Sequence, residues 1–307
     1  MNKKLEQAIL DTIAYFDIFD YPLTHFELHT FLYSENGKSE AFDVLENELA
    51  SNESLKEALF LKEGFVGLIG REEIIATRQM RYIESHAKFR IVKKFVRFAR
   101  HVPYVEFIAA CNNLAFFNAK KNSDLDFFIV VKKGMVPVTR FLTVLITIFF
   151  FKRPSEQHHK DTVCLSFLVD SEHVNVAPLR LPTGDIYMSY WYATLQPMYV
   201  RSMNVYASIQ GENRVLLRDL PNYLSRISTK LTKLGVSSLA KALEGMPWKK
   251  VVNTLYAYQL KKLPKQVTSQ MNGSSTSVLI SPVIFKTHTN DARENIYENW
   301  TKRKNTK

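Results

Sequence analysis

Two aspartates, Asp124 and Asp126, open an apolar run that continues to Val131. Successive side chains of a β-strand point to opposite faces, so these two carboxylates lie on the same side, at the rim of a buried strand. Hard divalent cations such as Mg²⁺ bind oxygen ligands of this kind, commonly one or two carboxylates completed by water and substrate phosphates. The pair therefore suggests metal-assisted chemistry on a phosphate ester. The alternative is an ordinary strand with a solvated polar start, because a short Asp-x-Asp match alone is a weak signal.

The residues around this pair resemble the core motif of the nucleotidyltransferase superfamily. That motif consists of a Gly-Ser turn, a short helix and a strand that opens with Asp-x-Asp. The sequence Ser123-Asp124-Leu125-Asp126 matches its last part, and residues 114–119 are similar to the short helix. The resemblance implies that Asp124 and Asp126 are catalytic residues that bind Mg²⁺ or Mn²⁺. It also implies that the substrate is a nucleoside triphosphate.

Two positions depart from the pattern of this superfamily. Asn112 and Asn113 occupy the Gly-Ser turn, where backbone N–H groups and a hydroxyl would approach the phosphates. Asparagine adopts the left-handed backbone conformation more readily than most residues, although it is bulkier than glycine. The third carboxylate of the family falls near Ser166, which carries a hydroxyl instead. Asp170 has the same strand parity but lies about 13 Å further on, so it joins the site only if the strand is shorter or shifted.

These residues define the predicted site. Ser166 is a third catalytic position, and Asp170 is a third metal ligand. The substrate phosphates are expected to contact polar and basic residues on either side of the short helix. Those substrate-binding residues are Asn112, Asn113, Lys120, Lys121 and Ser123.

Two classes of function remain open. The first is a Mg-dependent enzyme that transfers a nucleotidyl group from a nucleoside triphosphate to an RNA or protein acceptor. The second is a degenerate, non-catalytic member that binds nucleotide, RNA or a partner protein. The two aspartates favour the enzyme, whereas the missing Gly-Ser turn and third carboxylate favour the non-catalytic protein. A weaker alternative is association with a membrane surface through the basic body and the apolar segment 141–151.

The composition is that of a globular protein with room for two or three cores, since the chain has 307 residues and is 46% hydrophobic. Its two cysteines, Cys111 and Cys164, cannot form a disulfide framework, which predicts a reduced, cytoplasmic setting. The first residues lack the apolar core of a signal peptide. The apolar run 141–151 is shorter than the roughly 20 residues that span a bilayer, so it predicts a buried helix and no transmembrane segment.

Charge divides the chain into an acidic head and a basic body. Residues 1–76 carry a net charge of −9 and residues 77–307 carry +20. We predict an α+β protein with a mixed β-sheet core and covering helices. Its four parts are an acidic winged-helix-like domain (1–76), a basic connecting helix (77–100), a nucleotidyltransferase-like core (101–180) and a mainly helical accessory region (181–307).

The head has the pattern of three helices followed by a hairpin. Thr24 and Glu27 form a capping box that opens the second helix, and Ser39 is expected to cap the third. Residues 59–61 and 65–69 read as the hairpin. This order is typical of winged-helix domains, but the predicted recognition helix is acidic and would be repelled by phosphate. The head is therefore predicted to be a protein-contact or packing module, and DNA binding is disfavoured.

The remaining predictions concern side chains and helices of the connecting helix and of the accessory region. Arg90, Lys93, Lys94 and Arg97 fall on one face of the helix, either as a solvated surface or as an electrostatic guide for an anionic substrate. In the accessory region, residues 186–199 and 239–263 read as amphipathic helices. Three polar residues near the end of the chain either reach a phosphate or cap a solvated helix: His288, Asp291 and Arg293. Residues 302–304 are expected to form a frayed basic tail.

Overall fold

A seven-stranded mixed sheet lies at the centre of this computed structural model, which describes residues 3–152, 160–182, 184–223, 233–271 and 276–305. The α+β class predicted from the sequence is confirmed. Within the described residues the chain forms helices α1 to α13 and strands β1 to β10, together with three short 3-10 turns.

The head consists of helices around a small antiparallel sheet with the strand order β1-β3-β2. Its elements are α1 (Lys3–Asp17), β1 (Leu23–Thr24), α2 (His25–Thr30), α3 (Phe42–Ser51), α4 (Glu53–Ala58), β2 (Leu59–Lys62) and β3 (Phe65–Leu68). The Thr24–Glu27 capping box and the β2–β3 hairpin are present as predicted. Helix α3 is shorter than expected, because Ala41 and not Ser39 is its N-cap residue and makes no side-chain cap hydrogen bond.

The long helix α5 (Ile74–Ala99) connects the head to the large sheet. The elements that follow it are β4 (Val105–Ala110), α6 (Asn112–Ala115), β5 (Leu125–Val131), α7 (Val136–Phe150) and β6 (Val163–Asp170). Strands β4 and β5 are antiparallel, whereas β5 and β6 are parallel and are joined across α7. Parallel neighbours need a crossover connection, and α7 supplies it.

Helix α7 departs from the predicted buried helix. Its inward face carries Thr139, Thr143 and Thr147, whose side chains are fully buried. Their hydroxyls each donate to a backbone carbonyl, so burial leaves no donor unsatisfied. The apolar side chains of the last turn point outward instead, and Phe149 is 74% exposed. The apolar run therefore marks a helix with threonines on its buried face, while Phe149 and Phe150 of its last turn are exposed.

The accessory region is rich in helices but also contributes four strands. Its elements are α8 (Ile186–Thr194), β7 (Gln196–Val200), α9 (Met203–Glu212), β8 (Lys233–Leu234), α10 (Ser238–Glu244), α11 (Val252–Lys261), α12 (Lys265–Gln270), β9 (Val278–Ile280), β10 (Ile284–Thr287) and α13 (Arg293–Asn305). The complete sheet has the order β8-β7-β4-β5-β6-β10-β9. The predicted helix over residues 186–199 is wrong in its last turn, which is strand β7. The predicted helix over residues 239–263 is divided into α10 and α11.

Residues 302–304 are helical and anchored, which corrects the predicted frayed tail. Arg303 forms an ion pair with Asp17 of α1 at 2.8 Å. Lys304 pairs with Asp11 of the same helix at 2.9 Å. Helix α13 therefore packs along α1 and forms part of the head. Among the described residues, no helix combines the length and apolar character needed to cross a membrane.

Candidate active site

The two aspartates converge where β5 begins. Strand β5 starts at Leu125, so Asp124 precedes it and Asp126 is its second residue. The parallel register of β5 and β6 places Cys164 beside Asp126. Ligand atoms of Asp124, Asp126 and Cys164 all lie within 4.8 Å of one another, which is close enough to share one cation.

Asp124 and Asp126 lie at the wall of a cavity of about 300 Å³. The opposite wall comes from α8 and from the segment that joins β10 to α13. Polar and charged lining residues are Asn112, Asn113, Ser123, Asp124, Asp126, Tyr187, Lys286, His288, Asn290, Asp291 and Arg293. Aromatic lining residues are Phe19, Phe167 and Trp191. A cavity of this size with convergent polar groups is typical of a small-molecule site.

A larger cavity in the head lacks these properties. It measures about 410 Å³ and lies between α1 and the segment 32–40. Its charged residues neutralise each other, since Asp11 pairs with Lys304 and Glu40 pairs with Lys38. The cavity at the aspartates is therefore the better candidate for chemistry.

Asn112 fixes the orientation of Asp126. The Asn112 backbone is left-handed, with φ of 58°, as asparagine allows. Its Oδ1 accepts hydrogen bonds from Tyr187 Oη at 3.2 Å and from Trp191 Nε1 at 3.0 Å. An indole N–H can only donate, so Oδ1 must face Trp191 and Nδ2 must face the aspartate. Nδ2 donates to Asp126 Oδ2 at 2.8 Å, which leaves Asp126 as an oriented acceptor.

Burial has large effects on the ionisation of this cluster. Burial and the neighbouring charge of Asp124 raise the pKa of Asp126 from 3.8 to about 7, against hydrogen bonds that lower it. Burial also raises the pKa of the Cys164 thiol well above its ordinary value. At neutral pH the thiol is therefore protonated and donates to the Asp126 carboxylate. A cation at this position would favour the ionised form of Asp126.

Lys286 and His288 bring nitrogen donors to the cavity from β10 and the segment after it. Lys286 is 6% exposed, and its ammonium donates to the carbonyl of Thr276. Burial and the charge of Arg293 lower the pKa of Lys286 to about 8. Burial and the charge of Lys286 lower the pKa of His288 to about 4, so its imidazole is neutral at pH 7. The cavity thus contains a lysine whose pKa, about 8, is close to neutral pH.

The structure separates two residues that were predicted to act together. Ser166 is close to the cluster, and its hydroxyl lies 3.1 Å from His288 Nε2. Asp170 lies at the opposite end of β6, where it is paired in register with Val131. Its carboxylate accepts from the N–H groups of Gly134 and Glu172 and contacts His173 Nδ1 at 2.7 Å. Asp170 does not join the predicted metal site.

Some of the predicted phosphate-binding residues line the cavity, and others lie outside it. Asn113 and Ser123 line the cavity, and Ser123 Oγ donates to the carbonyl of Lys120 at 2.9 Å. Lys120 and Lys121 are exposed on the surface outside the cavity. Asn112 is engaged through its amide with Asp126 and two aromatic residues, so it acts first as a positioning residue.

Arg293 is buried at the start of α13. It bonds to Asp185, Asp291, Thr276 Oγ1 and the carbonyl of Leu179. Asp291 also accepts from the N–H of Arg293, so the helix start is capped as expected but is buried and not solvated. Arg293 therefore supports the wall of the cavity.

Sequence reasoning missed Lys286 and the position of Cys164. Lys286 stands in the short run Val283-Ile284-Phe285-Lys286, and a lysine inside an apolar strand is an available signal. The contact of Cys164 with Asp126 depends on the β5–β6 register, which short-range patterns do not determine. Comparisons of the chain with protein-family models, with curated proteins and with solved structures found no match.

Proposed function

We propose that this protein is a Mg-dependent nucleotidyltransferase that transfers a nucleotidyl group from a nucleoside triphosphate to an RNA or protein acceptor. The observation that carries the proposal is the convergence of Asp124 and Asp126 at the wall of a cavity that also contains Lys286. Carboxylates supply cation ligands, and a buried ammonium offsets the charge of a phosphate.

The donor set fits Mg²⁺ or Mn²⁺. Asp124 and Asp126 supply two carboxylates, the number that Mg²⁺ commonly takes from protein beside water and phosphate oxygens. The Cys164 thiol is protonated, so it serves as a hydrogen-bond donor to Asp126 and not as a soft ligand. When bound, the ion would neutralise and orient the triphosphate.

The residues around the pair have separate roles in this proposal. Asn112 orients Asp126 through its amide. Lys286 binds a phosphate oxygen from the far wall, and the exposed Lys120 and Lys121 attract the anionic substrate towards the cavity. Ser123 offers a neutral hydroxyl beside Asp124.

The finer fold assignment is part of the same proposal. The order β4, α6, β5 with Asp124 and Asp126 at the start of β5 supports a nucleotidyltransferase-like core in residues 101–180. The order of helices and hairpin in the head supports a winged-helix-like domain in residues 1–76. Its helix α3 carries acidic residues, which supports a protein-binding role in preference to a DNA-binding one.

A non-catalytic nucleotide-binding protein is the second candidate. Two observations favour it: the amide of Asn112 is already used by protein groups, and Asp170 is remote from the aspartates. Such a protein would bind a nucleoside triphosphate in the same cavity without transferring it.

One experiment separates the two candidates. The protein is incubated with each labelled nucleoside triphosphate, Mg²⁺ or Mn²⁺, and RNA or protein acceptors. The paired sample carries Asp124→Asn and Asp126→Asn, which keep size and hydrogen-bonding capacity. Label that enters an acceptor only with the unchanged protein supports the enzyme. Metal-dependent nucleotide binding without transfer supports the second candidate, and absence of both rejects the site.

A further inference from the structure

One face of α5 combines aromatic and basic side chains in a single row. The row consists of Tyr82, His86, Arg90, Lys93 and Arg97, and we call it the α5 stripe. Its spacings of four, four, three and four residues keep all five on one side of a helix. At 1.5 Å per residue the stripe is about 22 Å long.

The side chains of the stripe are available to solvent. Tyr82 is 49% exposed, and the other four residues are also exposed. Arg90, Lys93 and Arg97 form no ion pair within the part of the chain that the structure describes, in contrast to the buried Arg81 and Lys88 of the same helix. Ile83, which is 70% exposed, borders the row. The stripe therefore presents rings, an apolar edge and three cations to one ligand.

The aromatic end of the stripe is held in place by Phe117. The Phe117 ring centre lies 5.5 Å from that of Tyr82 and 5.2 Å from that of His86. Phe117 has a φ of 61°, a left-handed conformation that is strained for a bulky residue. Strain of this kind persists only where surrounding contacts enforce it, and here it directs the ring against α5.

The stripe lies beside the segment that leads into the candidate active site. After Phe117, the N–H of Ala119 donates to Ser85 Oγ of α5 at 3.0 Å. The ammonium of Lys88 then binds the carbonyls of Lys121 and Ser123 at 3.2 and 2.8 Å. Asp124 follows directly. The segment with the exposed Lys120 and Lys121 therefore connects the α5 helix to the aspartates.

We infer that the α5 stripe binds single-stranded nucleic acid, with RNA as the acceptor that it guides to the candidate active site. Exposed rings stack with bases of any sequence, and a row of cations follows the phosphate backbone. The role as an acceptor guide rests on the proposed transferase, whereas the binding itself does not. A protein partner would not require two rings followed by three cations in one row of about 22 Å.

The test measures binding of fluorescein-labelled 12-nucleotide single-stranded RNA to the full chain by fluorescence anisotropy. It is carried out from 50 to 200 mM KCl, in EDTA and without nucleoside triphosphate. Each phosphate contact with a single strand contributes about 0.7 to the slope of log affinity against log salt. Replacing Arg90, Lys93 and Arg97 by Gln should therefore lower that slope by about 2. The charge-matched control replaces exposed Lys249, Lys250 and Lys261 by Gln and should leave it unchanged.

A second pair of matched variants tests the contribution of the aromatic rings to RNA binding. Tyr82→Leu keeps an apolar side chain but removes the ring face, and we expect about tenfold weaker RNA binding. Tyr258→Leu is the control, because Tyr258 is also 49% exposed but lies on α11. Equal losses in both variants would overturn the inference. So would an unchanged salt slope in the charge variant, or binding of anionic lipid vesicles in place of RNA.

The experiments distinguish a failure of the inferred RNA binding by the α5 stripe from a failure of the proposed nucleotidyl transfer. The Asp124→Asn/Asp126→Asn variant should bind RNA as the unchanged protein does, because the stripe is separate from the two aspartates. RNA binding without any nucleotidyl transfer would reject the proposed function and leave the stripe in place. Nucleotidyl transfer to an acceptor by a protein that does not bind RNA would reject the RNA-binding role of the α5 stripe but not the transferase.

Discussion

Asn112 links the candidate metal ligands to the aromatic wall of the cavity. One amide satisfies two donors, Tyr187 Oη and Trp191 Nε1, and also supplies a donor to Asp126. Leaving a buried donor without a partner costs about 1–3 kcal/mol. Position 112 therefore combines a structural role with the orientation of a carboxylate, which a glycine at this position would not do.

The variant Asn112→Ala tests this dual role. We expect it to lose about 2 kcal/mol of unfolding free energy, because two partly buried donors lose their acceptor. We also expect metal affinity to fall about tenfold, as it does when a residue that orients a metal ligand is removed. Urea unfolding and Mn²⁺ titration measure the two effects. Asn113→Ala is the control and should affect Mn²⁺ binding less, and equal effects would contradict a special role for Asn112.

If the cavity binds a nucleotide as proposed, Lys286 should make that binding dependent on pH. Its pKa is lowered from 10.5 to about 8, so the folded protein holds this proton less tightly than the unfolded chain. As pH rises, this lowered pKa has opposite effects on the stability of the unliganded protein and on its affinity for nucleotide. The unliganded protein gains stability from this group as pH rises from about 8 towards 10.5, because the unfolded chain binds more protons there. Phosphate binding needs the ammonium, so affinity for a nucleoside triphosphate should fall over the same range.

The expected loss of affinity approaches tenfold per pH unit above pH 8, the limit for a single proton. Titration of a fluorescent nucleotide from pH 6.5 to 9.5 measures it. Lys286→Arg keeps its charge throughout this range and should flatten the curve. An equally steep curve for the arginine variant would assign the pH dependence to another group.

At the scale of elements, Lys88 joins α5 to the two segments that precede β5 and β6. It is 2% exposed, and its ammonium lies 2.7 Å from Asp161 and also binds the carbonyls of Lys121 and Ser123. The position of Asp124 therefore depends on a helix that supplies none of the candidate metal ligands. Its partners are 33 to 73 residues away in sequence, which hides this role from short-range patterns.

Lys88→Met should lower the unfolding free energy by about 3 kcal/mol, because it leaves the Asp161 carboxylate and two carbonyls without their donor. Metal binding should weaken as well, since the turn before Asp124 loses its anchor. Lys94→Met removes the same charge from an exposed position of α5 and should cost less than about 0.5 kcal/mol. Chemical denaturation and Mn²⁺ titration compare the two. Similar losses in both would show that net charge, and not the buried contact, matters.

The elements also show why the sequence predicted some features and not others. The capping box of α2 and the hairpin β2–β3 depend on contacts within a few residues, and both are confirmed. Residues 196–200 have an apolar pattern that fits a helix or a strand, and pairing with distant β4 makes them strand β7. Asp170 has the predicted parity, but the parallel register with β5 places it far from Asp126. Parity is local, whereas register depends on the whole sheet.

At the scale of the whole molecule, the charge asymmetry is partly neutralised within one chain. The head carries −9, yet basic residues of α5 and α13 bind its carboxylates. Arg78 of α5 contacts Glu27, and Arg81 of α5 contacts Asp20. Two further pairs come from the end of the chain, at Arg303 and Lys304. The acidic surface left for a partner is therefore smaller than the net charge suggests.

The hydrophobic core of the head also extends beyond residue 76. Its buried cluster includes Tyr190 of α8 and both Ile296 and Trp300 of α13. Tyr190 stacks on Tyr15 with ring centres 4.1 Å apart. Helix α8 therefore contacts the head on one side, while its Tyr187 and Trp191 bind Asn112 on the other. A disturbance of the head is consequently expected to reach the candidate active site through α8.

Trp300 provides the test of this coupling. It is 5% exposed, and its indole N–H donates to the carbonyl of Asp11 at 2.9 Å. Trp300→Ala removes a large buried ring and should cost about 3–5 kcal/mol, whereas Trp300→Phe keeps most of the ring and should cost less. Because the head shares its core with α8 and α13, we expect one cooperative unfolding transition at a lower denaturant midpoint, with tryptophan fluorescence and far-UV circular dichroism coincident. Two separate transitions in Trp300→Ala, with Mn²⁺ binding retained after the first, would instead establish that the head folds independently of the site.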